Sequence, residues 1–347
     1  MGKSALFQLL TGAAAAAGGR PEPRVGVARV PDRRVDTLAE MFRPRKTTHA
    51  TVEYVDVPGV TKGEGSALVD LPALRGVDAL VHVVRAFESD VVPHPEGSVD
   101  PLRDAWMLEL ELILADLGAV ERRIERLDAN IKKARRAEDV SERELFVRLQ
   151  QALEAERPLR ELELADEDRR RLRSYSLLSE KPVLVVANLS ESVIRDAQGF
   201  VGGSGLAAFA ERPGLALCPV SATIEAEIAQ LPAEDARAFM DDLGLAEPGL
   251  DRVIRTSYGL LGLISFLTSG EDECRAWTIR RGTRAQAAAG AIHSDLERGF
   301  IRAEVVAFED LVAAGSIAAC RDKGTLKLEG KDYLVRDGDV INFRFNV

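Results

Sequence analysis

A lysine and a hydroxyl stand side by side in Gly2-Lys3-Ser4, immediately before the apolar run ALFQLL. The triplet has the form of the last third of a phosphate-binding loop, Gly-x-x-x-x-Gly-Lys-Ser/Thr. In such a loop the amides of a helix N-terminus and the lysine ammonium face the β and γ phosphates, and the hydroxyl serves a magnesium ion. Two further groups suit the same chemistry. Asp56 ends the strand-like run ATVEYVD and Gly59 follows three residues later, an arrangement in which the carboxylate holds the metal's water shell and the glycine amide lies near the γ phosphate. Asn188 ends a second strand-like run, VLVVAN, where its amide can face a purine ring. Each signal is common on its own. Their order, each ending a buried strand or opening a helix, directs all three to one crevice at the carboxyl ends of parallel strands.

Such groups need a sheet to carry them. A strand is expected from Val25, and VPDRRVDTLAEMFRPRK has apolar residues at helical spacing until Pro44 stops it. VDALVHVVRAF and KPVLVVAN are nearly continuous β-branched runs, the signature of parallel strands covered on both faces. Between them the composition changes. Ile113, Leu117, Val120, Ile124, Leu127 and Ile131 recur at steps of four and three, and after a polar break Leu145, Leu149 and Leu153 repeat the pattern. The simplest structure is an antiparallel helical hairpin inserted into the α/β unit. From Cys274 onward short strands, tight Gly and Asp turns and one helix describe a small α+β domain of ubiquitin-like size. The expected division is 1–103 with 178–265 as the nucleotide-binding domain, 104–177 as the hairpin and 266–347 as the C-terminal domain.

Composition narrows the alternatives. The chain has 347 residues, 46% of them hydrophobic, enough for more than one core. Cys218, Cys274 and Cys320 are far apart with no CxxC pair, which argues against zinc or a disulfide framework and for a reducing compartment. No apolar run reaches the roughly 18 residues that span a bilayer, and a cytoplasmic, membrane-free protein is expected. A net charge of -10 gives no global attraction to nucleic acid, and specific DNA binding is not expected. Arginines 275, 280, 281, 284, 298 and 302 nevertheless cluster near the C-terminus, as a solvated face or a local RNA surface. His82, inside a buried strand, reads as a core histidine, Trp277 as core of the small domain, and His293 as a helix residue without a role.

Much longer stretches carry a resemblance. GKSALFQLL, VEYVDVPG, VANLSE, PVSATIEAEIAQL, LGLAEPGLDRVIRTSYGLLGL, RAWTIRRGTRAQAAAGAIHSDLERGFIRAEVVAFEDL and LEGKDYLVRDGDVINFRFNV resemble the YchF subfamily of Obg-related P-loop nucleotidases, over almost the whole chain. The resemblance implies a P-loop parallel sheet, an inserted hairpin and a terminal TGS-type domain. It assigns Gly2, Lys3 and Ser4 to the end of the phosphate loop, Asp56 and Gly59 to switch II, and Ser221-Ala222 to the loop under the base. Asn188-Leu189-Ser190-Glu191 stands where the wider superfamily has Asn-Lys-x-Asp. That aspartate selects guanine, so Glu191 in its place weakens the selection and favours ATP or tolerance of both nucleotides. Val60 follows Gly59 where Ras-like enzymes orient water with a glutamine; the resemblance implies that His94, in SDVVPHPEG, does this instead.

The implied function is purine-nucleotide binding, ATP or GTP, with slow Mg2+-dependent hydrolysis to diphosphate and phosphate, as a switch read by the ribosome or another translation partner. The departures support a rival, a degenerate nucleotidase fold kept as a scaffold whose hairpin and C-terminal domain bind a protein or RNA. Upstream of Gly2 the family has a strand and the front of the phosphate loop, and a native chain longer than this one is expected. Arg20 stands for a switch I threonine, Arg24 for an asparagine, Ala5 for the threonine after Ser4, and switch II is short before Lys62-Gly63-Glu64-Gly65.

Overall fold

The computed structural model describes residues 2–13, 23–57 and 71–346. Gly59, Val60, Arg20 and Lys62 to Gly65 lie outside them. The chain divides into two units, Met1–Gly26 with Tyr54–Thr256 and Val27–Glu53 with Ser257–Val347.

In the first unit α1 (Lys3–Thr11) follows Gly2 directly. β1 (Arg24–Arg29) and β3 (Thr51–Asp56) form a two-stranded sheet, and the division between the units runs through both strands. Gly26 lets β1 approach α1, since a Cβ there would stand 2.6 Å from Thr11 side-chain atoms. A short helix, α3 (Leu71–Arg75), precedes β4 (Leu80–Ala86), which pairs with β5 (Val183–Leu189), and β5 pairs with β6 (Leu215–Val220). All three are parallel, with Leu80 opposite Val183 and Val183 opposite Leu215. Every residue of β5 is buried. That is the reason for its apolar run VLVVA: a central parallel strand has no solvent face on which to place alternate polar residues, and its one polar residue, Asn188, stands near the carboxyl end.

α4 (Pro101–Lys133) begins with Asp100, whose carboxylate accepts the amide of Arg103 at 3.0 Å, and with Pro101 in the first turn. Its 33 residues span about 50 Å. Ala105 and Leu112 pack into the sheet core. Ile113, Val120 and Ile124 pack instead with Leu145, Phe146, Leu149 and Leu153 of α5 (Ala137–Glu154). One helix thus serves two cores. The sequence reading opens the hairpin at 104, but the helix starts earlier and only from Ile113 does its apolar face turn to α5.

Where the cores meet, α4 buries charge. Asp116 is fully buried and accepts from the amides of Leu178 and Ser179 at 2.9 and 2.7 Å and from Ser179 Oγ at 2.8 Å. Burial raises its carboxyl above the usual range against the pull of those bonds. Glu109, also buried, pairs with Arg160 and Arg212.

In the second unit a six-stranded sheet runs β10-β9-β11-β7-β8-β2. Its strands are β2 (Lys46–Thr48), β7 (Leu263–Thr268), β8 (Glu273–Arg280), β9 (Phe300–Ala307), β10 (Lys327–Glu329) and β11 (Asp339–Phe345). The helix Ala285–Ile292 packs on it through Ala285, Ala288 and Ala289, side chains small enough to bring its backbone close to Phe266 and Phe343. Residues 27–53, grouped by the sequence reading with the first domain, belong here. β2 pairs in parallel with β8, and α2 (Arg33–Phe42) carries Arg34, which bridges Asp32 and Asp337 at 2.8 and 2.9 Å. Trp277 is in this core, stacked at 14° to Phe266. Among the described residues no helix is long and apolar enough to cross a membrane.

Candidate functional site

α1 has no side-chain cap and no acidic residue in its first turn, so its first amides have no intrahelical acceptor and carry the positive end of the helix dipole. Gly2 caps it at φ +87°, a left-handed conformation that leaves no space for a side chain: a Cβ would lie 2.4 Å from Asn188 Nδ2 and 4.0 Å from Ala222 Cβ. The start of α1 is therefore seated on the carboxyl end of β5. Asn188 is buried there, and its Oδ1 accepts the amide of Ala222 at 2.9 Å. The pairing fixes the start of the helix Ala222–Ile228 beside β5.

Lys3 extends the cluster to β3. Its Nζ lies 3.0 Å from Asp56 Oδ1 and donates to the carbonyl of Val57. Asp56 Oδ1 is buried and takes no hydrogen bond, so the lysine's charge is what balances it. Ser4, next on α1, is exposed. Segments far apart in sequence are thus brought together: Gly2, Lys3 and Ser4 from α1, Asp56 from β3, Asn188 from β5 and Ala222 after β6.

The remaining base-site residues divide. Ser221 is buried and its Oγ has no hydrogen-bond partner, an orphan beside the Asn188–Ala222 contact. Leu189 ends β5 facing the core, so the position of a superfamily lysine carries no cation here. Glu191 is exposed and opens a short helix, Glu191–Ile194. Glu225, unremarked in the sequence, is buried and accepts the amides of Gly249 and Leu250 at 2.7 and 3.3 Å, tying the helix that follows Ser221 to the helix Gly249–Leu260.

His94 is stowed in the loop between β4 and α4. Its ring is 5% exposed and faces Asp104, with Nε2 2.9 Å from Oδ2. Among the described residues no hydrogen bond or ion pair joins it to Lys3, Ser4 or Asp56. Arg85 was missed although a charge inside the run VHVVRAF is itself a signal. It is 2% exposed, donates to the carbonyls of Phe87 and Val92 at 2.9 and 2.8 Å, and lies over the Phe87 ring at 4.9 Å. Arg24 lies 5.3 Å from the centre of the Phe7 ring.

Other candidates carry less. Burial pushes His82 down to about 4, so it is neutral near pH 7. His293 caps the helix Ser294–Arg298 through Nδ1. All three cysteines are buried and unpaired with one another, and burial raises the Cys218 and Cys274 thiols. A cavity of about 410 Å3 in the second unit is walled mainly by apolar groups such as Ile292, Leu296, Val306 and Phe343. Its Glu304 is already held by Asn342, Arg344 and Arg321.

The donor set suits a phosphate chain with magnesium. It offers uncapped amides, an ammonium, a hydroxyl, one buried carboxylate oxygen without a hydrogen bond, and a glycine where a side chain would fill the cradle. Among the described residues no group of three or more His, Cys, Asp or Glu could cage a metal. A magnesium ion here would thus share one or two protein oxygens with substrate phosphates and water, its usual habit in phosphoryl-transfer sites.

Comparison with known proteins points the same way. Residues 263–346 match the family model described as YchF-GTPase_C, protein of unknown function (DUF933). Along its full length the chain is 44% identical to the ribosome-binding ATPase YchF of Bacillus subtilis and covers 97% of it. It is 35% identical to the Obg-like ATPase 1 of Oryza sativa, covering 90% of that protein. The solved structure of the Schizosaccharomyces pombe YchF GTPase superposes with a TM-score of 0.85 at 31% identity, over 99% of this chain and 94% of that one.

Proposed function

From the premise that the chain belongs to the YchF family, we propose that it is a ribosome-associated purine nucleotidase that binds ATP in preference to GTP and hydrolyses it slowly with magnesium. The observation that carries the reading is the convergence of Lys3 on Asp56 and of Gly2 on Asn188 at the carboxyl ends of β3 and β5.

Each residue then has a task. The α1 amides and Lys3 bind the β and γ phosphates, which draw the ammonium from Val57 O and Asp56. Ser4 and Asp56 would hold magnesium, and Asp56 Oδ1 takes no hydrogen bond that would compete with it. Magnesium, when bound, would supply positive charge against the charge that develops on the phosphates. Asn188, Ser221 and Ala222 hold the purine, with Leu189 and Glu191 beside it. Glu191, exposed at the start of a short helix, does not fix a guanine edge, which disfavours GTP. Gly59 supplies an amide at the γ phosphate, and His94 orients water where Val60 cannot. Residues 104–177 act as an inserted hairpin and 266–347 as a TGS-type domain, both reading the nucleotide state to the ribosome in the cytoplasm.

The test is equilibrium titration with fluorescent ATP and GTP analogues, with and without magnesium, alongside phosphate release and co-sedimentation with ribosomes. ATP should bind more tightly, and Lys3→Ala and Asp56→Asn should each lower phosphate release by about 100-fold or more. Release unchanged in both variants would overturn the assignment.

A further inference from the structure

We infer that Asp104 is a positioning residue that keeps the His94 ring stowed, and that removing its charge accelerates nucleotide hydrolysis. The inference rests on the reading of His94 as the residue that orients the attacking water.

The loop 87–100 is held at three places. Arg85 reaches out of β4 to the carbonyls of Phe87 and Val92. Arg103 reaches back from α4 to Ser98 Oγ and Ser98 O at 3.1 and 2.8 Å. Between these anchors Val91 and Val92 are 88% and 54% exposed, yet the imidazole two residues on is almost wholly covered. Its Nδ1 accepts the amide of Glu96 at 3.2 Å, which leaves the ring proton on Nε2. Nε2 faces Asp104 Oδ2 at 2.9 Å, and neither atom has a hydrogen bond elsewhere. The other Asp104 oxygen accepts Nε and a terminal nitrogen of Arg103 at 3.1 and 2.8 Å.

A neutral imidazole has one donor and one acceptor nitrogen. Here the acceptor is taken by a backbone amide and the donor faces a carboxylate, so the ring has no nitrogen left for a water molecule. Orienting water requires the contact with Asp104 to open. Asp104 lies on the first turn of α4 and not on the loop, so replacing it leaves the Arg85 anchor and the Asp100 cap in place.

Steady-state ATP hydrolysis by the full chain is measured for the wild type, Asp104→Asn, Asp104→Ser, His94→Ala and the double variant D104N/H94A. The Asp104 variants should raise kcat about threefold to tenfold, the range expected when a charge-assisted contact becomes a neutral one. KM should not change. His94→Ala should lower kcat about tenfold or more, and the double variant should match it. Imidazole 15N NMR of the wild type should show the His94 proton on Nε2. If His94→Ala leaves kcat unchanged, the reading of His94 has failed. If it lowers kcat but the Asp104 variants do not raise it while ATP affinity and circular dichroism are intact, the positioning role is overturned. An increase that persists without His94 overturns it as well.

Discussion

Gly2→Ala is the smallest perturbation that tests whether the start of α1 and the end of β5 form one site. At φ +87° an L side chain costs about 1–2 kcal/mol of backbone strain. The new methyl would also stand 2.4 Å from Asn188 Nδ2, too close for any contact, so the amide must turn. Turning it breaks the 2.9 Å bond from the Ala222 amide to Oδ1, and leaving a buried amide unsatisfied costs about 1–3 kcal/mol. Together these give about 2–5 kcal/mol, shared between lost stability and lost nucleotide affinity. Urea unfolding and titration with a fluorescent ATP analogue read the two parts. The decisive control is Asn188→Ala, which makes room for the methyl. In the double variant the penalty of Gly2→Ala should shrink to the backbone strain alone, a coupling of about 1 kcal/mol or more. Strict additivity, or a Gly2→Ala protein with unchanged stability and affinity, would refute the packing argument.

Two further outcomes follow from buried charge. His82 titrates near 4 in the folded protein and near 6.5 when unfolded, so the unfolded chain binds more protons between those values. Stability should therefore be full above pH 6.5 and fall by about 3 kcal/mol as the pH drops to 4, and His82→Phe should flatten that part of the urea midpoint against pH curve. Asp116→Ala strands the Leu178 and Ser179 donors and should cost about 2–6 kcal/mol, with fast amide exchange at both residues; slow exchange there would mean that α4 is anchored by apolar packing alone.

The sheet strands were legible because burial on both faces favours apolar residues, and every residue of β5 but Asn188 is apolar. The α4–α5 seam was legible because its period of about 3.5 has no other simple explanation. The proximity of Gly2, Lys3, Asp56 and Asn188 was legible because each stands at a strand or helix end, and in a parallel sheet those ends lie on one edge. What escaped notice was set by partners distant in sequence. β2 is three residues, Lys-Thr-Thr, too short to show a period, and pairing with β8 alone makes it a strand. Glu225 resembles any helical glutamate until the Gly249 and Leu250 amides are beside it. His94 looks like an exposed loop histidine, and the carboxylate that covers it belongs to the next helix.

The split allegiance of α4 also bears on how the protein comes off the translation machinery. Leu80 must find Val183, about a hundred positions later, before β4 can pair with β5, and parallel pairing across so long a separation is slow because the entropy of closure comes first. α4 and α5 are neighbours in sequence, so their contacts are expected to form locally, ahead of the pairing of β4 with β5. Once packed, the two helices would shorten the span of chain that β4 must close to reach β5. Weakening the α4–α5 seam, for example with Leu149→Ala, should therefore slow formation of a sheet to which Leu149 contributes no contact.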